Sequence, residues 1–132
     1  MTSSSSIVRL VFILLFAMAG SVASAADHVG EVKALKHIVA LKFNETATSE
    51  QIDEVVRLIR QFPQEIPVVQ SVEGGKNVSF EGQDKGFTHC FTITFLNQAG
   101  LKTYLPHEFH MAMVEKVKPL LADVFVIDYY VY

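Results

Sequence analysis

The chain has 132 residues, half of them hydrophobic, and a formal charge of −3. That length holds one domain around one core, and a negative chain whose lysines and arginines are scattered excludes a nucleic-acid surface. A single cysteine, Cys90, excludes an internal disulfide.

The first 25 residues read as a cleavable signal peptide. Arg9 precedes an apolar run from Leu10 to Ala19, shorter than the ~20 residues a membrane span needs, and small residues at Ala23 and Ala25 place cleavage after Ala25. The expected product is periplasmic or secreted, with no stable membrane anchor. Removing this segment takes away Arg9 and no acid, so the charge moves from −3 to −4. Residues 26–34 read as a flexible leader carrying an inert His28, and 35–132 as the folded domain.

Leu35 to Phe43 alternates as a strand, with Leu35, His37, Val39, Leu41 and Phe43 on one face. His37 lies on the more apolar face and therefore needs a polar partner. Asn44 to Thr48 is a turn, and Asn44-Glu45-Thr46 within it fits a glycosylation acceptor triplet, as does Asn77-Val78-Ser79; such triplets are common by chance and count only in a secretory eukaryotic host. Thr48 and Gln51 form a capping box for a helix whose buried stripe is Ile52, Val55, Val56, Ile59 and Phe62. Pro63 and Pro67 bracket its end. Val68 to Glu73 is read as the second strand, with Gly74-Gly75 following it and a polar loop at 81–86. This glycine pair lacks the lysine and the strand, turn, helix order of a phosphate-binding loop. Phe87 to Leu96 alternates as the third strand, with Cys90 as a buried thiol in its middle. Asn97 caps a helix over Gln98 to Tyr104, which Pro106 must interrupt because it has no N–H and restricts Leu105. A second helix then places Met113, Val114, Val117 and Leu121 on one face and ends before Pro119. Val124 to Tyr132 is the last strand, and Asp128 within it needs a donor.

Strand, helix, strand, strand, helix, strand is the order of an α+β, ferredoxin-like βαββαβ fold with both helices on one face of an antiparallel sheet. The other face would expose more apolar surface than a monomer tolerates, so a homodimer packed sheet to sheet is expected.

The chemistry concentrates at Tyr104-Leu105-Pro106-His107-Glu108-Phe109-His110. His110 falls in the first turn of the second helix, on its inward face. Burial and the positive helix end both favour its neutral ring, which can accept a proton. Tyr104 and His107 precede it at steps of three, so a bent backbone can turn a phenol and two imidazoles into one cleft.

These residues, with Lys36-His37-Ile38-Val39-Ala40-Leu41-Lys42-Phe43, Gly86-Phe87-Thr88-His89 and Ile127-Asp128-Tyr129, resemble the stress-responsive A/B barrel (Dabb) family of dimeric α+β barrels over about residues 36 to 131. The resemblance implies a cofactor-independent chemistry, since a plant polyketide cyclase of the family closes a linear polyketide by aldol condensation. Its catalytic tyrosine and histidine match Tyr104 and His110. By the same resemblance His110 would be the general base, Tyr104 would stabilise an enolate oxygen, Asp128 would orient His110, and His37, His89 and His107 would line or support the pocket. The sequence departs from the family in having Glu108 where a proline usually follows the first histidine of the pair. Ile59 stands where the cyclase has a pocket tyrosine.

Two functions fit. The first is a homodimeric barrel that binds a small apolar or carbonyl compound in a His/Tyr-lined pocket; the alternative is a cofactor-independent cyclase, isomerase or lyase on a small carbonyl substrate, with His110 as base. A metal held by His107, His110 and Asp128 is a third arrangement that residue types allow, disfavoured because a kinked helix turns 107 and 110 in different directions. No metal or cofactor is therefore assigned.

Overall fold

The computed structural model describes residues 33–132; the proposed signal peptide and leader residues 26–32, His28 included, lie outside the described residues. Strand β1 (Leu35–Phe43) leads through the Asn44 turn into helix α1 (Ser49–Arg60), a short α2 (Phe62–Glu65), strands β2 (Ser71–Lys76) and β3 (His89–Phe95), helices α3 (Gln98–Tyr104) and α4 (Glu108–Val117), a 3-10 turn at Lys118–Leu120, and strand β4 (Leu121–Tyr130). The four strands form one antiparallel sheet in the order β2-β3-β1-β4. This is the ferredoxin-like α+β arrangement the alternating patterns predict.

Local chemistry sets the element ends. Thr48 accepts from the Gln51 backbone while the Gln51 side chain accepts from the Thr48 backbone, the reciprocal cap expected for α1. Asn97 caps α3 through Gly100. The helix does break at Pro106, and α4 restarts at Glu108. Pro63 sits in the first turn of α2, where its missing N–H costs nothing, so it begins a helix instead of ending one.

The structure differs from these expectations in strand boundaries and in the burial of one side chain. The second strand lies at Ser71–Lys76, three residues later than its apolar pattern suggests, because Val69 is drawn into the core before the strand begins. Gly74 and Gly75 are inside that strand. Strand β4 starts at Leu121, pairing Leu121 with Phe43 across an irregularity at Lys42 and Phe43. Cys90 is exposed, not buried. It alternates with Phe91 and Ile93, and only the Phe91 side of β3 is covered by helices.

The core between sheet and helices holds Phe62, Phe91, Phe95, Ile66, Ile93, Val55 and Tyr104, each almost wholly enclosed, and each large side chain contributes roughly 2 kcal/mol by leaving water. On the opposite face Ala40 stands between Cys90 and Phe125, Ile38 faces Ile127 and Lys36 faces Tyr129, and Phe125, Ile127 and Tyr129 are 44 to 52 % exposed. As the edge strand, β4 is half-exposed on its helix side too.

Candidate functional site

Between α3, α4 and the β1–β4 half of the sheet lies a largely apolar cavity of about 450 Å³, a volume typical of small-molecule sites. Its polar side chains are His37, Tyr104, His110, Lys118 and Asp128. Tyr104 is fully buried at the end of α3, where α3 packs its last turn onto the sheet. Its ring lies 5.4 Å from that of Phe62 and 5.2 Å from that of Phe95. The His110 ring lies 4.2 Å from it and the His37 ring 5.9 Å.

Pro106 creates the geometry around His110. An unbroken helix would direct the Leu105 carbonyl to the Phe109 N–H, but Phe109 donates instead to His107 Nδ1 at 3.3 Å. The freed Leu105 carbonyl accepts from His110 Nδ1 at 2.8 Å. A carbonyl can only accept, so His110 carries its proton on Nδ1 and presents the Nε2 lone pair. The partner His37 required is Asp128, whose Oδ1 is 2.6 Å from His37 Nδ1. The two residues face each other directly across β1 and β4. This carboxylate therefore orients His37, and His110 is oriented by backbone. That reverses the pairing implied by resemblance: Asp128 shares the cavity with His110 but bonds the other ring.

No fully sealed side-chain nitrogen or oxygen among the described residues lacks a partner. The Tyr104 hydroxyl and the Nε2 atoms of His37 and His110 make no hydrogen bond within the described chain, so each opens on the cavity. Burial pushes the Tyr104 phenol well above its ordinary range and keeps it protonated. Burial lowers the His110 pKa, opposed by the Leu105 carbonyl and assisted by His37 and His107. One cavity thus holds a protonated phenol and a neutral imidazole.

The remaining predicted residues lie outside it. His107 is the N-cap of α4, its Nδ1 holding the Phe109 N–H; it positions the helix that carries His110. With His107 so engaged, His107, His110 and Asp128 do not converge, and no group of three metal-ligating side chains occurs among the described residues. His89 sits at the far end of β3, bonded through Nδ1 to Thr88 Oγ1 at 3.0 Å and edge-on to Phe43 at 5.4 Å. Lys118 was not legible as a site residue: a lysine after a helix reads as surface charge, and only the 3-10 turn brings it to the cavity wall.

The lowered pKa of His110 predicts a direction for stability. His89 shifts the same way, by burial first and then Lys76, against a smaller opposing influence of Asp53. An imidazole harder to protonate when folded makes the unfolded chain bind more protons below about pH 6.5, so stability falls as pH drops through that value. Urea midpoints at pH 7.5 and pH 5.5 measure this, and His110→Ala should shrink the difference between them.

The family profile for the stress responsive A/B barrel domain matches residues 35–131. The chain is 26% identical over 96 residues to olivetolic acid cyclase of Cannabis sativa, covering 73% of this chain and 95% of that protein. Among solved structures, a hydroxynitrile lyase from Passiflora edulis superposes with a TM-score of 0.72 at 18% identity, covering 76% of this chain and 95% of that one. A protein from Thermobifida fusca described as dimeric and ferredoxin-like does so with 0.67 at 20% identity, covering 76% and 93%. The profile match covers well over half of the chain, and the ferredoxin-like sheet agrees with it: this chain belongs to the stress-responsive A/B barrel domain family.

Proposed function

We propose that this protein is an exported homodimer that binds a small, mainly apolar carbonyl compound in the cavity and moves a proton at the carbon beside the carbonyl, without a cofactor. The observation that carries this reading is the Tyr104–His110 contact, which sets a hydrogen-bond donor beside a proton acceptor in an apolar chamber. His110 Nε2 takes the proton as the C–H bond breaks, and the electron pair moves onto the carbonyl oxygen. Tyr104 donates a hydrogen bond to the enolate oxygen so formed. The Leu105 carbonyl, accepting from Nδ1–H, supports the resulting imidazolium. The similarity to a cyclase supports this reading, and the apolar bare sheet face supports the dimer. Export rests on the Arg9 to Ala25 pattern.

Binding without turnover is the second reading. It is favoured by the pairing of Asp128 with His37, which leaves His110 without the carboxylate that usually strengthens a catalytic imidazole. A medium-chain methyl ketone in D2O separates the two: proton exchange faster than free imidazole supports, followed by NMR, indicates catalysis. Saturable binding without such exchange indicates a carrier. A ketone that neither binds nor exchanges would refute both.

A further inference from the structure

The loop between β2 and β3 presents Val78 and Phe80 to solvent at 89 and 98 % exposure. It is pinned where Asn77 N–H donates to the Thr88 carbonyl at 2.7 Å, Ser79 N–H to Asn77 Oδ1 at 2.8 Å and Gly86 N–H to Asp84 Oδ1 at 2.7 Å. An ordered loop holding two apolar side chains in water implies a surface that takes them up. A second feature is also incomplete. Val124 and Val126 line the cavity, yet remain 48 and 49 % exposed, because among the described residues no strand lies beyond the edge strand β4.

Symmetry joins the two. Two copies packed bare face to bare face have their two-fold axis in the plane between the sheets. An axis across the strands stacks β2 on its own copy and leaves every edge open. An axis along the strands carries the partner's β2 over β4, so the free edges of both sheets meet and close, which removes the aggregation hazard of unpaired strands. That operation preserves height along the strands. The loop after β2 and Val124 share a level, since Lys76 pairs with His89, His89 with Leu41, and Leu41 with Val124.

We infer that the cavity is completed in trans: the loop of a second copy of this chain brings its Val78 and Phe80 around the β4 edge, over Val124 and Val126, and forms the outer wall of the ligand site. This rests on the homodimer reading above. It makes Phe80 a specificity-determining residue for the other subunit's ligand, and it shields the Tyr104–His110 pair from water on the side one chain leaves open.

The test does not depend on knowing the ligand. In a Cys90→Ser background, Phe80→Cys should react at least about tenfold more slowly with a thiol reagent than in the same protein carrying Ile127→Lys to break the bare-face contact. Equal rates in a species that sediments as a dimer overturn the inference while leaving the dimer intact; a wild-type monomer at micromolar concentration overturns both. Mixed dimers supply the second arm, with anilinonaphthalene sulfonate as probe. Phe80→Ser spoils the wall each chain lends, and Val114→Trp fills the cavity each chain owns, so each homodimer binds about tenfold or more weakly. A heterodimer of the two keeps one intact site and regains wild-type affinity at one probe per two chains. A mixture that regains no tight site refutes closure in trans.

Discussion

Substituting His110 by alanine lowers the ketone proton-exchange rate by ~10²- to 10⁴-fold, the range a positioned general base supplies. Tyr104→Phe lowers it by ~10²- to 10³-fold, the effect of deleting one donor to a developing oxyanion. Both follow from the 4.2 Å ring separation, which lets one small carbonyl group meet both side chains. His37→Ala costs less, because its ring is 5.9 Å from Tyr104 and its bond to Asp128 serves to hold the cavity wall. Since burial lowers the His110 pKa, the acidic limb of the rate profile lies below the ordinary imidazole value of about 6.5. The rate is therefore flat near neutrality and falls as His110 protonates. Exchange measured by NMR across this range for the three variants checks the assignment. A His110→Ala protein with wild-type exchange, beside a dead His37→Ala protein, would transfer the base role to the Asp128–His37 pair.

Gly74→Ala destabilises the fold by roughly 3 kcal/mol or more, combining a backbone conformation hostile to side chains with overpacking. Gly74 has φ +134°, and a Cβ there would stand 2.1 Å from the Cys90 carbonyl oxygen and 2.7 Å from the Phe91 Cα. Both are backbone atoms of the paired strand and cannot rotate away. Such a loss is a large fraction of the 5–15 kcal/mol that holds a typical domain together. The neighbouring glycine is the control. Nothing lies within 4 Å of a Cβ on Gly75, so Gly75→Ala should change stability by less than about 1 kcal/mol. Urea unfolding of the two variants measures the contrast, and equal stabilities would show that β2 can slide away from β3.

Much of this protein was legible in order along the chain, because the signals are local. The alternation from Leu35 to Phe43, the Thr48–Gln51 cap and the interruption by Pro106 depend on neighbours within a few residues, and each element formed where those neighbours required. The second strand was harder. Its own sequence, Ser71-Val72-Glu73-Gly74-Gly75-Lys76, carries little alternation, and its place is decided by pairing with β3. The same rule misplaced Cys90: alternation gave its parity correctly, but which parity is covered depends on helices distant in sequence.

For the candidate site, the amino-acid sequence by itself determined the residue types, the break at Pro106, the inward turn of His110 and the need of His37 and Asp128 for polar partners. Tertiary structure alone decided how those needs were met. Registry across β1 and β4 set Asp128 opposite His37, the bent backbone freed the Leu105 carbonyl for His110, and helix capping took His107 out of the cavity. The physical reason is that a buried polar group announces only that it must be satisfied. Which partner satisfies it is a matter of distance, and distances between residues 37, 105, 110 and 128 exist only once the sheet has paired and the helices have packed upon it.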